Sequence, residues 1–595
     1  MRKTNNKHWK NSNLDCLLFF AQCIDEMLFD YTLDSYKPLA LNSRLLCIEC
    51  LNTIEEVKGD FMPKRNLASI IDELKWSLNK DLAAKELLGK KFDYYLRHLK
   101  SNDIKLKELE IIINHLYGFF DNRKYLDQIK KSLIILIKDN KEKKNIKKLT
   151  NCFVSELINY GYNANHIYFQ NNNFFFNPNR RQSIEKTDEI NEFFKIFDFE
   201  KKEFNVVFIG SYIFTQFKNT LNKFDIAVTK NYTCFSNLQE DKNFKRSRKN
   251  NESFIINSNI HDFDHHSAKE QAERFLEGVV NLFNFHHHKQ KPEISKKCVV
   301  SRKEDNYVVV INEPLQSILK TKFEKTPAIA AKQVEKVLND VKLKQDSLYR
   351  FMRCIDLHSA AISTHTIENQ ILDLWASLET LIPKSSELNQ DRIVQITSKL
   401  VPFLQVNYAE KLFKQIFQDL QTWNKTKTLS ILKKVKHKNA KNNLEKTVAL
   451  ITLDDNIELR KEIYSDLSDF PLLKFRIFEL NSSFKSPTTI KKSLNNHQQK
   501  LEWHLRRIYR TRSLIIHSGS YPSYTHLLIE HLHNYLDIFL LKIINYSSQH
   551  KFVSIEEIIL EMKINIEYHS ELLEKHLNEE LTLDNYKEVI LGIER

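Results

Sequence analysis

Glycine and proline are scarce in this 595-residue chain, at only 8 and 11 positions. With Leu, Ile, Lys and Asn abundant, that scarcity favours long helices joined by short connections. Cysteine is sparse too: eight residues, scattered from Cys16 to Cys354 without the spacing of a disulfide framework, suit a reduced cytoplasmic protein. Cys47 and Cys50 form a Cys-x2-Cys, but they fall in the helical run from Ser43 to Val57 and no second pair follows, so no zinc site is read there. No uninterrupted apolar run reaches the roughly 18 residues of a membrane span. The richest stretch, Tyr535 to Tyr546, contains Asp537 and Lys542 and is expected to be a buried bundle helix. The basic start is not followed by an apolar core of about 7 to 15 residues, so no signal peptide is expected. Solenoid repeats, a glycine-rich phosphate loop and a nucleophile elbow are all missing from the pattern.

What is present is size, apolar content and positive charge. At about 100 to 200 residues per domain the chain should divide into roughly two to four domains. Hydrophobic residues make up 42% and charged residues 28%, which excludes wholesale disorder. A net charge of +14 makes a polyanionic partner plausible, because Lys and Arg that neutralise phosphates release counterions. A general Lys and Asn bias of composition would produce the same number.

Periodicity gives a mainly α fold class in three parts: a helical N-terminal domain over 1–149, an α+β middle domain over 150–322 and a helical bundle over 323–595. Apolar residues recur at three and four through Leu14 to Phe29, Ser43 to Val57, Lys107 to Phe120 and Tyr125 to Lys138. The charge run Lys141 to Lys148 is read as the boundary, a solvated surface with possible RNA contact. Six short β-rich runs follow, beginning at His166, Phe204, Lys223, Ser253, Lys296 and Asn306, interleaved with a helix from Ser267 to Phe285. Lys242 to Lys249 is expected as a basic loop. His261, Asp262, Asp264, His265 and His266, like His286 to His288, are adjacent side chains that point in different directions, and Ser267 with Glu270 looks like a capping box instead.

The helix from Leu501 to Ser520 carries the best functional clue. Its apolar stripe is Leu501, Leu505, Ile508, Ile515 and Ile516, and Arg512 occupies the slot between 508 and 515. A guanidinium cannot shed its charge, so it asks for an anion there; Glu379, at the edge of the Trp375 stripe, could supply a carboxylate. His517 is the side-chain type whose ordinary pKa, about 6.5, suits proton transfer near neutrality. On one unbroken helix the two lie about 140° apart and about 7.5 Å apart along the axis, so cooperation requires fraying at Gly519 or a second copy across a twofold axis. Leu514, Arg510 and Arg506 share the His517 flank, making a basic track. Lys433, Lys434 and Lys436, in the lysine-rich stretch from Trp423 to Lys446, are a further candidate phosphate-tracking surface. His526, His531 and His533 on the last long helix are expected to be structural.

The runs Leu372 to Leu381 (LDLWASLETL), Thr397 to Leu404 (TSKLVPFL) and Trp503 to Gly519 (WHLRRIYRTRSLIIHSG) together resemble the Apea-like branch of the HEPN superfamily over roughly residues 345 to 550. The resemblance implies a helical bundle that dimerises and cuts RNA without metal through an Arg-x4-6-His motif. Arg512 and His517 become the catalytic pair, supported by Glu379, Ser513 and Arg510, with Arg506, Lys433, Lys434 and Lys436 on RNA. Ser513 stands where the family commonly has Asn, Asp or His. No metal or other cofactor is implied. RNA and a second copy are the implied partners, no membrane is involved, and antiphage defence with a phage-derived trigger is the implied setting. A catalytically silent RNA-binding or dimerising scaffold is the alternative, and a purely structural Arg512 a third.

Overall fold

The computed structural model describes residues 4, 6–9, 14–29, 32, 33, 36–103, 105–180, 182–236, 239–305, 307–312, 326–364, 366–384, 391–550 and 552–592. These residues are mainly helical, with one small antiparallel sheet in the middle of the chain. The chain forms two compact units, one of residues 1–155, 175–190 and 321–595, the other of 156–174 and 191–320.

The second unit is built on the strands β1 (Lys202–Ser211), β2 (Ile226–Thr229), β3 (Glu252–Asp262), β4 (Ile294–Arg302) and β5 (Val308–Asn312), in the order β2-β3-β1-β4-β5. The centre of β1 is apolar at every position because both its faces are covered. Phe204, Val206 and Phe208 pack with Ala268, Ala272, Leu276 and Val280 of the helix His265–His286, while Val207 and Ile209 face Tyr232, Phe244 and Phe254. Five of the six expected β-rich runs coincide with strands. The run at His166 is instead helical, Ala164–Asn171, capped by the Asn163 side chain. The helix at 265 is capped by Asp264, which accepts from the amides of His266 and Ser267, so the expected Ser267–Glu270 box is displaced by an acid three residues upstream. Lys242 to Lys249 is largely the helix Gln239–Ser247 and not a loop, since Phe244 anchors it in the sheet's core.

The helical segments at the two ends of the chain fall in the same unit. Lys141 to Lys148 opens the helix Lys143–Tyr160, with Lys147 on Glu479 at 2.6 Å, so the charge run is helical surface and not a linker. Buried arginines join early helices to late ones. Arg476 lies 3.3 Å from both Glu26 and Asp419, with its guanidinium 3.8 Å over Tyr36. Arg507 meets Glu49 and Glu73.

The late helices surround two cores. One, centred on Phe413, Ile416, Ile451 and Ile477, takes in the first half of the long helix Pro487–Ser518 through Ile490. The other is the bundle of Ile367–Leu381, Arg392–Gln405, the second half of the long helix, Thr525–Gln549 and Ile555–Lys575. Trp375 is fully buried there, 5.8 Å from the Tyr509 ring, and Phe403 meets Phe539 edge-on at 4.4 Å. No described helix is long and apolar enough to cross a membrane.

Candidate functional site

The long helix begins with a capping box between Ser486 and Thr489, with Pro487 at its first position, and ends at Gly519, whose φ of 67° is left-handed and whose N–H reaches the Ile515 carbonyl at 3.0 Å. Gly519→Ala forces a Cβ into that left-handed position, at a cost of about 1–2 kcal/mol. A fall in the thermal midpoint, with the helix end fraying in hydrogen exchange over 514–518, is the expected result.

Two sides of the helix have different neighbours. Leu501, Leu505, Ile508 and Ile515 are buried towards the bundle as their spacing predicts, whereas Ile516 is 48% exposed. Arg512 emerges half-buried between 508 and 515. Its guanidinium makes no ion pair or hydrogen bond with a described residue. Glu379 is not its partner: that carboxylate accepts from Trp375 Nε1 at 2.8 Å, and its charge opposes the desolvation that weakens the Arg392 cation.

The opposite side docks on the helices Ser43–Lys58 and Asn66–Lys80. Trp503 meets Trp76 edge-on at 5.7 Å. Beyond it, Arg507 donates to Glu49 at 3.2 Å and to Glu73 at 2.5 Å, while Arg510 donates to the other Glu49 oxygen at 2.8 Å and to Ser69 Oγ at 3.1 Å. Burial works against the Arg507 cation, but Glu49 and Glu73 hold its pKa well above the ordinary value. Burial likewise opposes the Glu49 carboxylate, and Arg507 with Arg510 outweighs it, so Glu49 sits below the usual carboxylate range. The expected basic track along Arg506 and Arg510 is therefore corrected: Arg510 is sealed against Glu49, and Arg506 is half-buried with its pKa lowered by desolvation. Ser513 is buried as well.

His517 sits on that same side, about two turns past Arg510, and is exposed. Its ring lies 5.5 Å from that of Phe61, which follows the helix Ser43–Lys58 and is 58% exposed. Phe61 escaped sequence reasoning; a large apolar ring in the polar turn GDFMPKR was its only signal.

Cations gather in two places, one of them outside the expected residues. Lys433, Lys434 and Lys436 are exposed around the end of the helix Tyr408–Lys434, beside the first core. Lys80, Lys144, Lys148, Lys492 and Lys500 converge from three segments. Partial desolvation of the Lys80 ammonium, 3.7 Å over Trp76, together with the repulsion of those four lysines, lowers its pKa to about 8. Alongside runs a groove of about 550 Å³ lined by Lys491, Lys492, Asn495, Gln499 and Glu502. Lys500 lies about 18 Å along the helix from Arg512, by axial rise.

No family model, no curated protein and no solved structure matches this chain.

Proposed function

We propose that this protein is a metal-independent endoribonuclease of HEPN type, a cytoplasmic effector of the kind that cuts RNA in defence against phage. The observation that carries the reading is the contrast among the arginines of one helix. Arg507 and Arg510 are neutralised by Glu49 and Glu73, while Arg512, half-exposed at the end of the bundle, keeps its charge available for a phosphate and His517 stands in solvent one turn on.

The chemistry follows from those groups. The His517 imidazole takes the proton of a ribose 2′-hydroxyl, the 2′-oxygen attacks the adjacent phosphorus, and the bond to the 5′-oxygen of the next nucleotide breaks. Arg512 stabilises the charge that builds on the phosphoryl oxygens. The leaving oxygen takes a proton, so the products are a 2′,3′-cyclic phosphate and a 5′-hydroxyl. DNA, which lacks the attacking hydroxyl, is spared. Phe61 offers a ring for a base beside the scissile bond, and the lysine cluster with its groove suits the strand further along. Because the two catalytic groups diverge on an unbroken helix, each site takes Arg512 from one copy and His517 from another.

Incubation of the purified chain with total RNA in EDTA tests this. Cleavage with cyclic-phosphate ends is expected, falling about 10²- to 10⁴-fold in His517→Ala. An unchanged rate in that variant, or complete inhibition by EDTA, sinks the proposal. The same divergence favours a second reading, a silent RNA-binding scaffold. It predicts salt-dependent RNA binding without cleavage, weakened by Lys500→Ala and indifferent to His517→Ala.

A further inference from the structure

Away from Arg512 and His517, the helices Gln345–Ser363 and Thr525–Gln549 face each other with an unusual set of side chains. His358 lies on the first; His533 and Asp537 lie one turn apart on the second. His358 Nε2 is 3.2 Å and His533 Nε2 3.8 Å from the same oxygen, Asp537 Oδ1. The two imidazoles stack, with centroids 4.8 Å apart and planes at 25°. One potential ligand atom from each of the three side chains falls within 4.8 Å of the others.

A carboxylate oxygen shared by two imidazoles is a poor hydrogen-bond arrangement, because 3.8 Å is beyond bonding distance for the second ring. It is close to what a cation needs. Zinc ligands at about 2.0–2.2 Å in a tetrahedron stand about 3.3 Å from one another. The His358–Asp537 separation already meets that spacing, the His533–Asp537 separation is within half an ångström of it and all three ligand atoms lie within 4.8 Å of one another, so side-chain rotations close the set. Two imidazoles and a carboxylate also form a donor set suited to Zn²⁺ rather than to Ca²⁺ or Mg²⁺, which prefer oxygen.

We infer that His358, His533 and Asp537 form a divalent transition-metal site, with Zn²⁺ the best-suited ion and water at its open position, that clamps these two helices together. The side chains of His358 and Asp537 are 17% and 28% exposed, giving an ion and its water a way in, while His533 at 6% forms the floor. The clamp is independent of the ribonuclease reading, and none of its three residues takes part in that chemistry.

The test uses the full-length chain, stripped by chelator and titrated with Co²⁺ or Zn²⁺. One ion per chain is expected by elemental analysis, with the visible ligand-field bands of tetrahedral Co²⁺. His358→Gln, at the exposed edge and expected to fold, should bind at least about tenfold more weakly. Because an ion bound only by the native state must stabilise it, Zn²⁺ should raise the thermal midpoint by a few degrees in the wild type and not in His358→Gln. Absence of visible Co²⁺ bands, metal content equal in wild type and His358→Gln, or an equal midpoint response in both overturns the inference.

Discussion

Glu49→Ala is expected to destabilise the protein by about 3–5 kcal/mol, the cost of leaving a buried ion pair half-made. The magnitude comes from what the carboxylate serves. Both its oxygens are engaged, one by Arg507 and the other by Arg510, and both arginines are almost fully buried. Once it is gone, Glu73 still reaches Arg507, but Arg510 keeps only the Ser69 hydroxyl, a neutral acceptor. Glu73→Ala should cost less, because Glu73 has 14% of its side chain in solvent and serves one arginine only. The effect also has a pH signature. A carboxyl held below its ordinary pKa binds protons in the unfolded chain before the folded one. The contribution of Glu49 is therefore complete above about pH 4.3, the unperturbed value, and drains away as pH falls further, through its lower folded value. Glu49→Ala should flatten that part of the acid-unfolding curve. Chemical denaturation with hydrogen exchange over 43–58 and 66–80 reads both effects. A loss under about 1 kcal/mol, against the range for surface pairs, would mean that the arginines find water and that the hub does not fasten these helices to the long one.

The helices of the early region and the bundle were legible because their apolar residues recur at three and four, and Trp375 lies in the core as its stripe requires. The strands were legible from short β-branched runs; the exception, at His166, is aromatic without β-branching beyond one Ile and sits beside a capping Asn. What periodicity could not show was the second buried side of the long helix. A stripe names one face, and the side bearing Trp503, Arg507 and Arg510 is polar in sequence, so it read as solvated until Glu49 and Glu73 arrived from more than 400 positions away. Glu49 did leave a trace, an acid between Cys47 and Cys50 on an apolar helix face. Arg512 does lie half-buried on the apolar stripe, as its spacing requires, but Glu379 is not its anion, because a tryptophan N–H one turn away claims that carboxylate first. The lysine cluster was invisible for a different reason. It gathers Lys80, Lys144 and Lys500 from separate helices, and only tertiary packing brings them within reach of one another.

In a dimer carrying His517→Ala in one chain and Arg512→Ala in the other, activity is expected to return to about half that of the wild type, since one of two shared sites is then complete. Each variant alone should be nearly inert, with losses of about 10²- to 10³-fold for the arginine and up to about 10⁴-fold for the histidine. The reasoning is geometric. The helix is continuous from Pro487 to Ser518, so within one chain Arg512 points along the bundle side while His517 points along the side of Phe61 and the arginine hub. No rotamer change brings groups on opposite sides of a helix to one phosphate, whereas the proposed twofold axis near the helix end would place Arg512 of one copy against His517 of the other. Co-expression with two different tags and tandem purification isolates the mixed dimer, and cleavage of a defined RNA in EDTA reads the result. If the mixed dimer is no more active than the single variants while the wild type cuts, catalysis is confined to one chain and the helix must unwind before Gly519 to permit it. A wild-type chain that cuts RNA as a monomer leads to the same conclusion.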